Sequence, residues 1–455
     1  MSIMSVFAGD RGQSPPDSRD LTNMENRPKI SNMKSKIIQK HGTLIRILIF
    51  PAIISILSCL SCASKADYYL PVTPSYVKTG LEVFLKKHAK KYKGKNCLLI
   101  TNHSGVNRDL QSNINLLREK GIIIYMVMAP EHGIYGYENE YDKRLYNGDD
   151  THGAVIYNMH KLEQGQVRFL AGKADIVIFD IQDMGMRCYT YVSDLKFVMD
   201  DLHDTDKELI VLDRPDPIGY LGIDGAMLDN KFFTRFVSSF PAPFIYNMTM
   251  GEAALYYRGE TGKKIKLRVI PMQGYDRRMF YHNTGLPWIP PSPNLPTYES
   301  AIIYSGMVLM EGINISLGRG TTKPFQYIGA PWIDAATFCR DLNGLGLKNF
   351  RFRPIYFEPT FSKYRGQKCG GAHILYTGGV FSPTEVSYRI IQYILKNYRY
   401  AKWEKHKVWY SVDTLAGTDT FRTSINEGKS FGEFQASIKK RQKKFLKKRK
   451  KYTLY

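Results

Sequence analysis

A carboxylic acid and an imidazole stand side by side where an apolar run of this sequence ends. The run IIIYMVMA leads to Pro130, which is followed by Glu131, His132 and a glycine. A buried strand that presents both groups at its end supplies side chains that commonly act in general acid–base catalysis. Glu131 and His132 are therefore the first catalytic candidates, with Glu131 as the acid and His132 as the group that orients it or binds the substrate.

Polar side chains also follow other apolar runs, and they extend the candidate site. Asn102 comes after LLIT, and the segment DIQD after ADIVIF contains Asp180, Gln182 and Asp183. Asp180 or Asp183 would supply a second carboxylate, which orients a substrate hydroxyl or activates a water molecule. Helix capping is the alternative explanation for the Asn and Asp residues, although it does not explain Glu131.

Two arginines are candidates for holding an anionic group of the substrate. Arg187 follows the Asp180–Asp183 segment, and Arg319 lies in the glycine-rich stretch LGRGTTKPF. The guanidinium fork matches the geometry of a carboxylate, so either residue could form a bidentate contact. The alternative is that each arginine pairs with a neighbouring aspartate and stabilises its own loop.

Several other kinds of site are not indicated. The segment GRGTTKP lacks the spacing of a phosphate-binding loop, and the chain contains no HExxH motif. We therefore expect no cofactor and no metal.

The net charge of +22, from 64 Lys and Arg against 42 Asp and Glu, would suit nucleic acid or an anionic surface. Much of that excess lies in the leader and in the tail from Lys439, and no nucleic-acid-binding motif accompanies it, so nucleic acid is not an expected partner.

The elements that position these residues alternate between strands and helices from about residue 75. Short apolar runs are separated by segments with helical spacing; the runs are NCLLIT, IIIYMVMA, ADIVIFD and KELIVLD, and the helical segments are LQSNINLLREKG and YVSDLKFVMDDL. This alternation is typical of a parallel sheet that is buried on both faces. The predicted fold class is α/β with a doubly wound sheet, in which ligands lie beyond the carboxyl ends of the strands. A proline-rich segment, 286–300, is expected to cross between two domains.

The N-terminal region predicts export. Basic residues precede the apolar stretch ILIFPAIISILSCLSCASK, which has the organisation of a secretory signal. Its ILSC and LSC endings resemble a bacterial lipobox, so Cys59 or Cys62 is the expected lipidated residue and a lipid anchor would attach the protein to a membrane. The other cysteines have neither CxxC nor metal-ligand spacing and are expected to be buried free thiols; they are Cys97, Cys188, Cys339 and Cys369.

Seven ordered motifs resemble the bacterial exo-β-N-acetylmuramidase family, whose members are glycoside hydrolases of peptidoglycan turnover. The motifs are LLITNHSGVN, APEHGIYG, DIVIFDIQDMGMRCYTYV, IVLDRPDPIGY, PPSPNLPTYES, EGINISLGRGTTKPFQYIGAPW and FEPTFSKYRGQKCGG. The resemblance extends from about Tyr69 to Tyr455. Glu131 matches the glutamate of the family's P-E-H-G turn, and the motifs add Tyr189, Asn294 and Glu311 to the candidate substrate-binding residues. His103 is a departure, since glutamine is expected there.

The resemblance implies a domain organisation and an activity. Residues 1–62 would be an N-terminal extension with a lipoprotein signal peptide, 70–287 a Rossmann-like catalytic domain, and 288–455 a smaller α/β domain that completes the cleft. The implied activity is release of terminal N-acetylmuramic acid from the non-reducing end of peptidoglycan fragments, by an inverting or a retaining mechanism. Two alternatives remain open, namely amide or ester hydrolysis on the same fold and a non-catalytic lipoprotein that binds cell-wall sugars.

Overall fold

The computed structural model describes residues 76–138, 153–406 and 408–455. The predicted signal peptide and lipidation residues, Cys59 and Cys62, lie outside the described residues. None of the helices in the described ranges combines the length and the apolar character needed to span a bilayer.

A six-stranded parallel sheet forms the centre of the N-terminal part. Its strands are β1 (Asn96–Thr101), β2 (Ile123–Ala129), β3 (Val155–Asn158), β4 (Ile176–Asp180), β5 (Glu208–Leu212) and β6 (Lys266–Ile270). Their spatial order is 3-2-1-4-5-6, the order of Rossmann-type dinucleotide-binding domains. The order reverses between β1 and β4, so their carboxyl ends flank the switch point of the sheet. The predicted doubly wound α/β fold is confirmed.

The central strands are apolar because the sheet is covered on both faces. Along β1, Leu98 and Ile100 belong to one core cluster while Cys97 and Leu99 belong to the other. Side chains of a strand alternate between faces, so two covered faces require a continuous apolar run. The edge strand β6 alternates exposed Lys and Arg with apolar residues and gives a much weaker signal in the sequence.

Helices and short strands connect and cover this sheet. The helices of the N-terminal part are Gly80–Lys87, Asn113–Glu119, Gln166–Leu170, Tyr191–Asp201 and Met250–Thr261. A separate two-stranded antiparallel sheet pairs Asp224–Met227 with Pro243–Ile245. Several helix starts carry capping residues, as at Met250–Thr261, where Thr249 and Glu252 form a capping box.

The C-terminal part contains a smaller, antiparallel sheet. Its strands are β7 (Tyr327–Ala330), β8 (Phe350–Phe357) and β9 (Cys369–Tyr376), in the order β8-β9-β7. The helices there are Tyr298–Met307, Ala335–Gly344, Pro383–Asn397, Ser411–Ala416, Thr420–Asn426 and Phe431–Arg449. A second, smaller region is confirmed. Its strands are antiparallel because no helical crossover separates β8 from β9.

The lysine-rich tail is part of the fold. The helix Phe431–Arg449 buries Phe434, Ile438 and Phe445, while most of its lysines face solvent. Beyond it, the hydroxyl of Tyr455 donates to Asp213 Oδ2 at 2.9 Å, next to the carboxyl end of β5. The four predicted thiols, Cys97, Cys188, Cys339 and Cys369, are free and buried, as expected.

Candidate active site

Glu131 lies in a tight turn just after β2. His132 has a φ of +74°, a left-handed conformation that residues other than glycine seldom adopt. Its Nδ1 lies 2.7 Å from the carbonyl oxygen of Glu138, and the Glu138 amide donates to the His132 carbonyl at 3.3 Å. Because a carbonyl only accepts, Nδ1 is the donor in this contact. These bonds close the turn and fix the direction in which Glu131 leaves the sheet.

The Glu131 carboxylate is held by a residue from the loop after β4. The Thr190 hydroxyl donates to Glu131 Oε2 at 2.8 Å. Behind it, the Tyr191 hydroxyl donates to the Pro291 carbonyl at 2.6 Å and lies 3.3 Å from the Glu131 carbonyl. The Asn102 side chain in turn donates to the Tyr191 hydroxyl at 3.1 Å. Asn102 therefore supports the Glu131 turn from behind rather than facing the cavity.

The proline-rich segment closes this rim of the sheet. His103 Nε2 lies 2.6 Å from the Pro290 carbonyl, and Tyr191 bonds the next carbonyl along. The ring of His103 also packs so closely on Gly136 that a Cβ there would come within 1.9 Å of it. His103, the departure from the family pattern, thus joins the Glu131 turn to the proline-rich segment.

A cavity of about 120 Å³ brings together many of the predicted site residues. Those that line it are Glu131, His132, Tyr189, Asn294, Glu311 and Arg319. Residues that were not predicted as site residues also line it; they include Cys188, Thr190, Ser292 and Tyr304. The Tyr189 ring lies edge-on to the Tyr191 ring, with centroids 4.8 Å apart, and forms part of the cavity wall. The cavity lies beyond the carboxyl ends of the strands, as a doubly wound sheet predicts.

A second carboxylate enters the cavity from the C-terminal part of the chain. Glu311 Oε1 accepts a hydrogen bond from Arg319 Nη2 at 2.7 Å, and the Arg319 guanidinium lies 5.2 Å from the centre of the Phe325 ring. The backbone of Glu311 is held as well, since Lys363 Nζ donates to its carbonyl at 3.0 Å. The cavity therefore combines two carboxylates, one arginine and one histidine.

Asp180 and Gln182 do not line this cavity. Arg214 donates to both oxygens of Asp180, at 2.6 and 3.1 Å, and Asn113 donates to the same carboxylate at 2.8 Å. The Gln182 amide donates to the carbonyls of Asp183 and Pro215, both at 2.8 Å. These side chains fill the switch point between β1 and β4, the place where a nucleotide binds in other sheets of this order.

Asp183 and Arg187 are also buried away from the cavity, so their side-chain positions differ from those predicted. Asp183 accepts from the Tyr246 hydroxyl and from the Gly185 amide, and burial raises its pKa to about 6. Arg187 donates to Ser238 Oγ at 2.7 Å and to the Ala416 carbonyl at 2.6 Å. Arg187 holds the 415–417 loop in place, which leaves Arg319 as the candidate for an anionic substrate group.

A buried histidine–aspartate pair near the Glu131 turn was not anticipated from the sequence. His160 Nε2 lies 3.7 Å from Asp194 Oδ1, and the His160 ring stacks on Phe236 with centroids 4.1 Å apart. Burial lowers the pKa of His160, but the hydrogen bond and charge of Asp194 outweigh it, so the net shift is upward. Asp194 lies one helical turn after Thr190, which is the only sequence signal that places it near the site.

Two carboxylic side chains facing one cavity beyond the strand ends are the groups with which glycosidases act, and this is the class of enzyme that the fold and site define. Residues 97–299 match the family model for the N-terminal part of the exo-beta-N-acetylmuramidase NamZ, and 302–455 match the model for its C-terminal part. The chain belongs to the exo-β-N-acetylmuramidase NamZ family, which confirms the resemblance seen in its motifs.

Individual relatives agree with this assignment. The chain is 36% identical over 381 residues to the peptidoglycan beta-N-acetylmuramidase NamZ of Bacillus subtilis, covering 83% of this chain and 91% of that protein. A DUF1343 family protein from Bacteroides fragilis is 30% identical, with a TM-score of 0.75 over 83% of this chain and 99% of the other. A second B. fragilis protein of that family is 29% identical, with a TM-score of 0.65 over 84% and 99%.

Proposed function

We propose that this protein is an exo-acting glycosidase that releases terminal N-acetylmuramic acid from the non-reducing end of peptidoglycan fragments, with Glu131 as the general acid. The observation that carries this proposal is the Thr190–Glu131 hydrogen bond inside a cavity that Glu311 and Arg319 complete. The B. subtilis relative, a peptidoglycan beta-N-acetylmuramidase, supports the substrate class. Neither amide or ester hydrolysis nor the non-catalytic sugar-binding alternative has comparable support.

The chemistry follows from the two carboxyl groups. Glu131 donates its proton to the glycosidic oxygen as the bond from that oxygen to C1 breaks, and the leaving sugar departs as an alcohol. Glu311 takes the second-carboxylate role that the sequence suggested for Asp183, because it lines the cavity whereas Asp183 does not. A water molecule then attacks C1, either directly or after a covalent intermediate has formed, and its oxygen makes the new bond. The distance between the two carboxyl groups decides whether the anomeric configuration is inverted or retained.

Arg319 gives the site a means of recognising muramic acid. N-acetylmuramic acid differs from N-acetylglucosamine by a lactyl ether whose carboxylate is ionised at neutral pH. The guanidinium of Arg319 lines the cavity and donates to Glu311, which places its positive charge where a carboxylate of the substrate would enter. The Arg319–Glu311 pair thus links substrate recognition to the second carboxylate.

Export and lipidation belong to the same proposal. The leader before residue 62 has the order of a lipoprotein signal, and peptidoglycan lies outside the cytoplasm. Lipidation at Cys59 or Cys62 would hold the enzyme at a membrane surface facing its substrate.

The experiment that tests the proposed activity uses Glu131→Gln on a muramide with a poor, alkyl leaving group. The variant should fold normally and lose about 10²–10⁴-fold in turnover, the usual contribution of general acid catalysis. Glu119→Gln, at an exposed helix end, is the control for the loss of one negative charge. If the folded Glu131→Gln variant turns over this substrate as fast as the wild type does, Glu131 is not the general acid. Binding of muramic acid without any wild-type turnover would favour the sugar-binding alternative.

A further inference from the structure

A wider cleft opens beside the Glu131 cavity. Its volume is about 810 Å³, and it shares Glu311, Arg319, Val237 and Leu415 with the small cavity. The two spaces therefore meet along the Arg319–Glu311 pair, and a ligand that enters the small cavity can continue into the cleft. Nothing in the proposed cleavage chemistry uses the rest of the cleft.

The sizes of the two spaces indicate how a substrate divides between them. Pockets that enclose a drug-sized ligand usually measure about 300–1,000 Å³. At about 120 Å³ the Glu131 cavity falls below this range and admits only the reacting end of a substrate, whereas the cleft falls within the range. An exo-acting enzyme must hold the terminal sugar at the carboxylates and the remainder of the chain on the other side of the scissile bond. The cleft is the space that continues from the carboxylates.

The cleft wall carries an exposed tryptophan. Trp409 belongs to the short strand Trp409–Tyr410, which pairs with Lys405–His406, and 47% of the residue is exposed to solvent. The Phe232 ring meets it edge-on, with centroids 5.2 Å apart, which holds the indole in place. An exposed aromatic ring at the edge of a partly apolar cleft can cover the apolar face of a sugar ring and remove both surfaces from water.

Polar groups suited to sugar hydroxyl and amide groups surround the same space. Lys363 and Glu404 line the cleft with their charged atoms 4.0 Å apart, and His406 lines it beside them. Lys363 also donates to the carbonyls of Glu311 and Ile313, at 3.0 and 2.5 Å. Lys363, which would contact the second sugar, is therefore hydrogen-bonded directly to the backbone of Glu311, the residue that supplies the second carboxylate.

We propose that this cleft binds the sugar on the leaving-group side of the scissile bond, an N-acetylated hexosamine, with Trp409 as its stacking platform. The inference rests on the proposed muramidase function and adds a second sugar subsite to it. Continuity with the Glu131 cavity through Glu311 and Arg319, together with the exposed Trp409, carries the assignment. Trp409 is a binding residue for the leaving sugar and takes no part in bond breaking.

The test compares two substrates that differ only in the leaving side. One is the disaccharide in which N-acetylmuramic acid is β-linked to N-acetylglucosamine, and the other is methyl β-N-acetylmuramide, which has no second sugar and no aromatic group. Trp409→Ala should lower kcat/KM about tenfold on the disaccharide, the scale of one lost aromatic contact, and leave the methyl glycoside within twofold of wild type. Trp409→Phe should restore part of the loss, and Tyr356→Ala, at an exposed aromatic outside the cleft, is the control.

Each other outcome has a distinct meaning. Equal activity of wild type and Trp409→Ala on the disaccharide would overturn the subsite. An equal loss on both substrates would overturn it as well, because Trp409 would then act on the cleavage cavity or on folding. A thermal melt distinguishes an effect on the cavity from an effect on folding. A loss seen only with a peptide-bearing disaccharide would mean that the cleft takes the peptide instead. If the wild-type enzyme cleaves neither substrate, the proposed function fails, and the subsite fails with it.

Discussion

The hydroxyl of Thr190 donates to Glu131 Oε2 at 2.8 Å, which joins the start of one helix to the turn after a different strand. Thr190 directly precedes the helix Tyr191–Asp201, a position where threonine usually caps the helix with its hydroxyl. Here the hydroxyl makes no capping bond within the helix and bonds the carboxyl group of Glu131 instead. The helix start thereby forgoes a local stabilising contact and orients the candidate acid.

Replacing Thr190 should therefore impair turnover more than binding. Thr190→Val keeps the shape but removes the donor, and an ordinary hydrogen bond is worth about 0.5–1.5 kcal/mol, or about two- to tenfold in kcat. Thr190→Ser keeps the donor and should remain near wild type. Steady-state kinetics on the disaccharide measures both. A Thr190→Val enzyme with unchanged kcat would show that Glu131 needs no such orientation.

A buried aspartate makes stability depend on pH. Asp216 accepts from the Ile218 amide at 3.1 Å, and burial raises its pKa to about 8. Because the pKa is higher in the folded state than in the unfolded chain, the ionised form costs stability. That cost disappears only below the unfolded-state pKa, at about pH 3, and it grows with pH until about pH 8.

Asp216→Asn should remove this cost. We expect the variant to melt above the wild type by a margin that is smallest near pH 4.5 and exceeds about 5 °C at pH 8, since each pH unit between the two pKa values costs up to about 1.4 kcal/mol and about 1 kcal/mol shifts the midpoint by about 2–4 °C. Scanning calorimetry across this pH range measures the difference. Asp109→Asn, at an exposed position, controls for the loss of a charge. A difference that is constant with pH would contradict the raised pKa.

The fold was predictable where burial is continuous along the chain. The central strands β1, β2, β4 and β5 are covered on both faces, so each leaves an uninterrupted apolar run in the sequence. The edge strands β3 and β6 are short or alternate with charged residues, and their sequences do not differ clearly from loops. The antiparallel sheet of the C-terminal part was missed for a different reason, because strand direction depends on the connections rather than on the apolar pattern.

The site was predictable only in part. Glu131 and His132 follow a strand end, and strand ends of a parallel sheet meet at one rim. The same rule misplaced Asp180 and Arg187, because position along the chain does not say which way a side chain points. Asp180 turns to Arg214 inside the sheet rim, and Arg187 turns to the 415–417 loop. Thr190 could not be paired with Glu131 from the sequence, since the two are 59 positions apart and neither carries a motif for the other.

Lipidation of the mature protein is a further prediction. The leader order of basic residues, an apolar stretch and a small residue before Cys59 predicts cleavage there, with Cys62 as the second choice. A single acyl chain binds membranes only marginally, so firm anchoring needs more than one chain. Mass spectrometry of the mature N-terminus identifies the modified residue. The single substitutions Cys59→Ser and Cys62→Ser show which of the two cysteines is needed for lipidation. An unmodified N-terminus at Ala63 or later would mean a secreted protein without an anchor.

The two arginines should separate recognition from folding. Arg319 lines the cavity, whereas Arg187 is fully buried and bonds Ser238 and the Ala416 carbonyl. Arg319→Ala should lower kcat/KM on an N-acetylmuramide by about ten- to a hundredfold more than on the matching N-acetylglucosaminide, because only the muramide carries the lactyl carboxylate. Arg319→Lys should restore little of this preference if the contact is bidentate.

Arg187→Lys should instead lower the melting temperature and affect both substrates alike, since a lysine cannot satisfy the same set of buried acceptors. Equal losses on the two substrates for Arg319→Ala would remove the lactyl-binding role from this residue, and the preference for muramic acid would then have to come from other residues of the cavity, with Asn294 and Tyr189 the next to test.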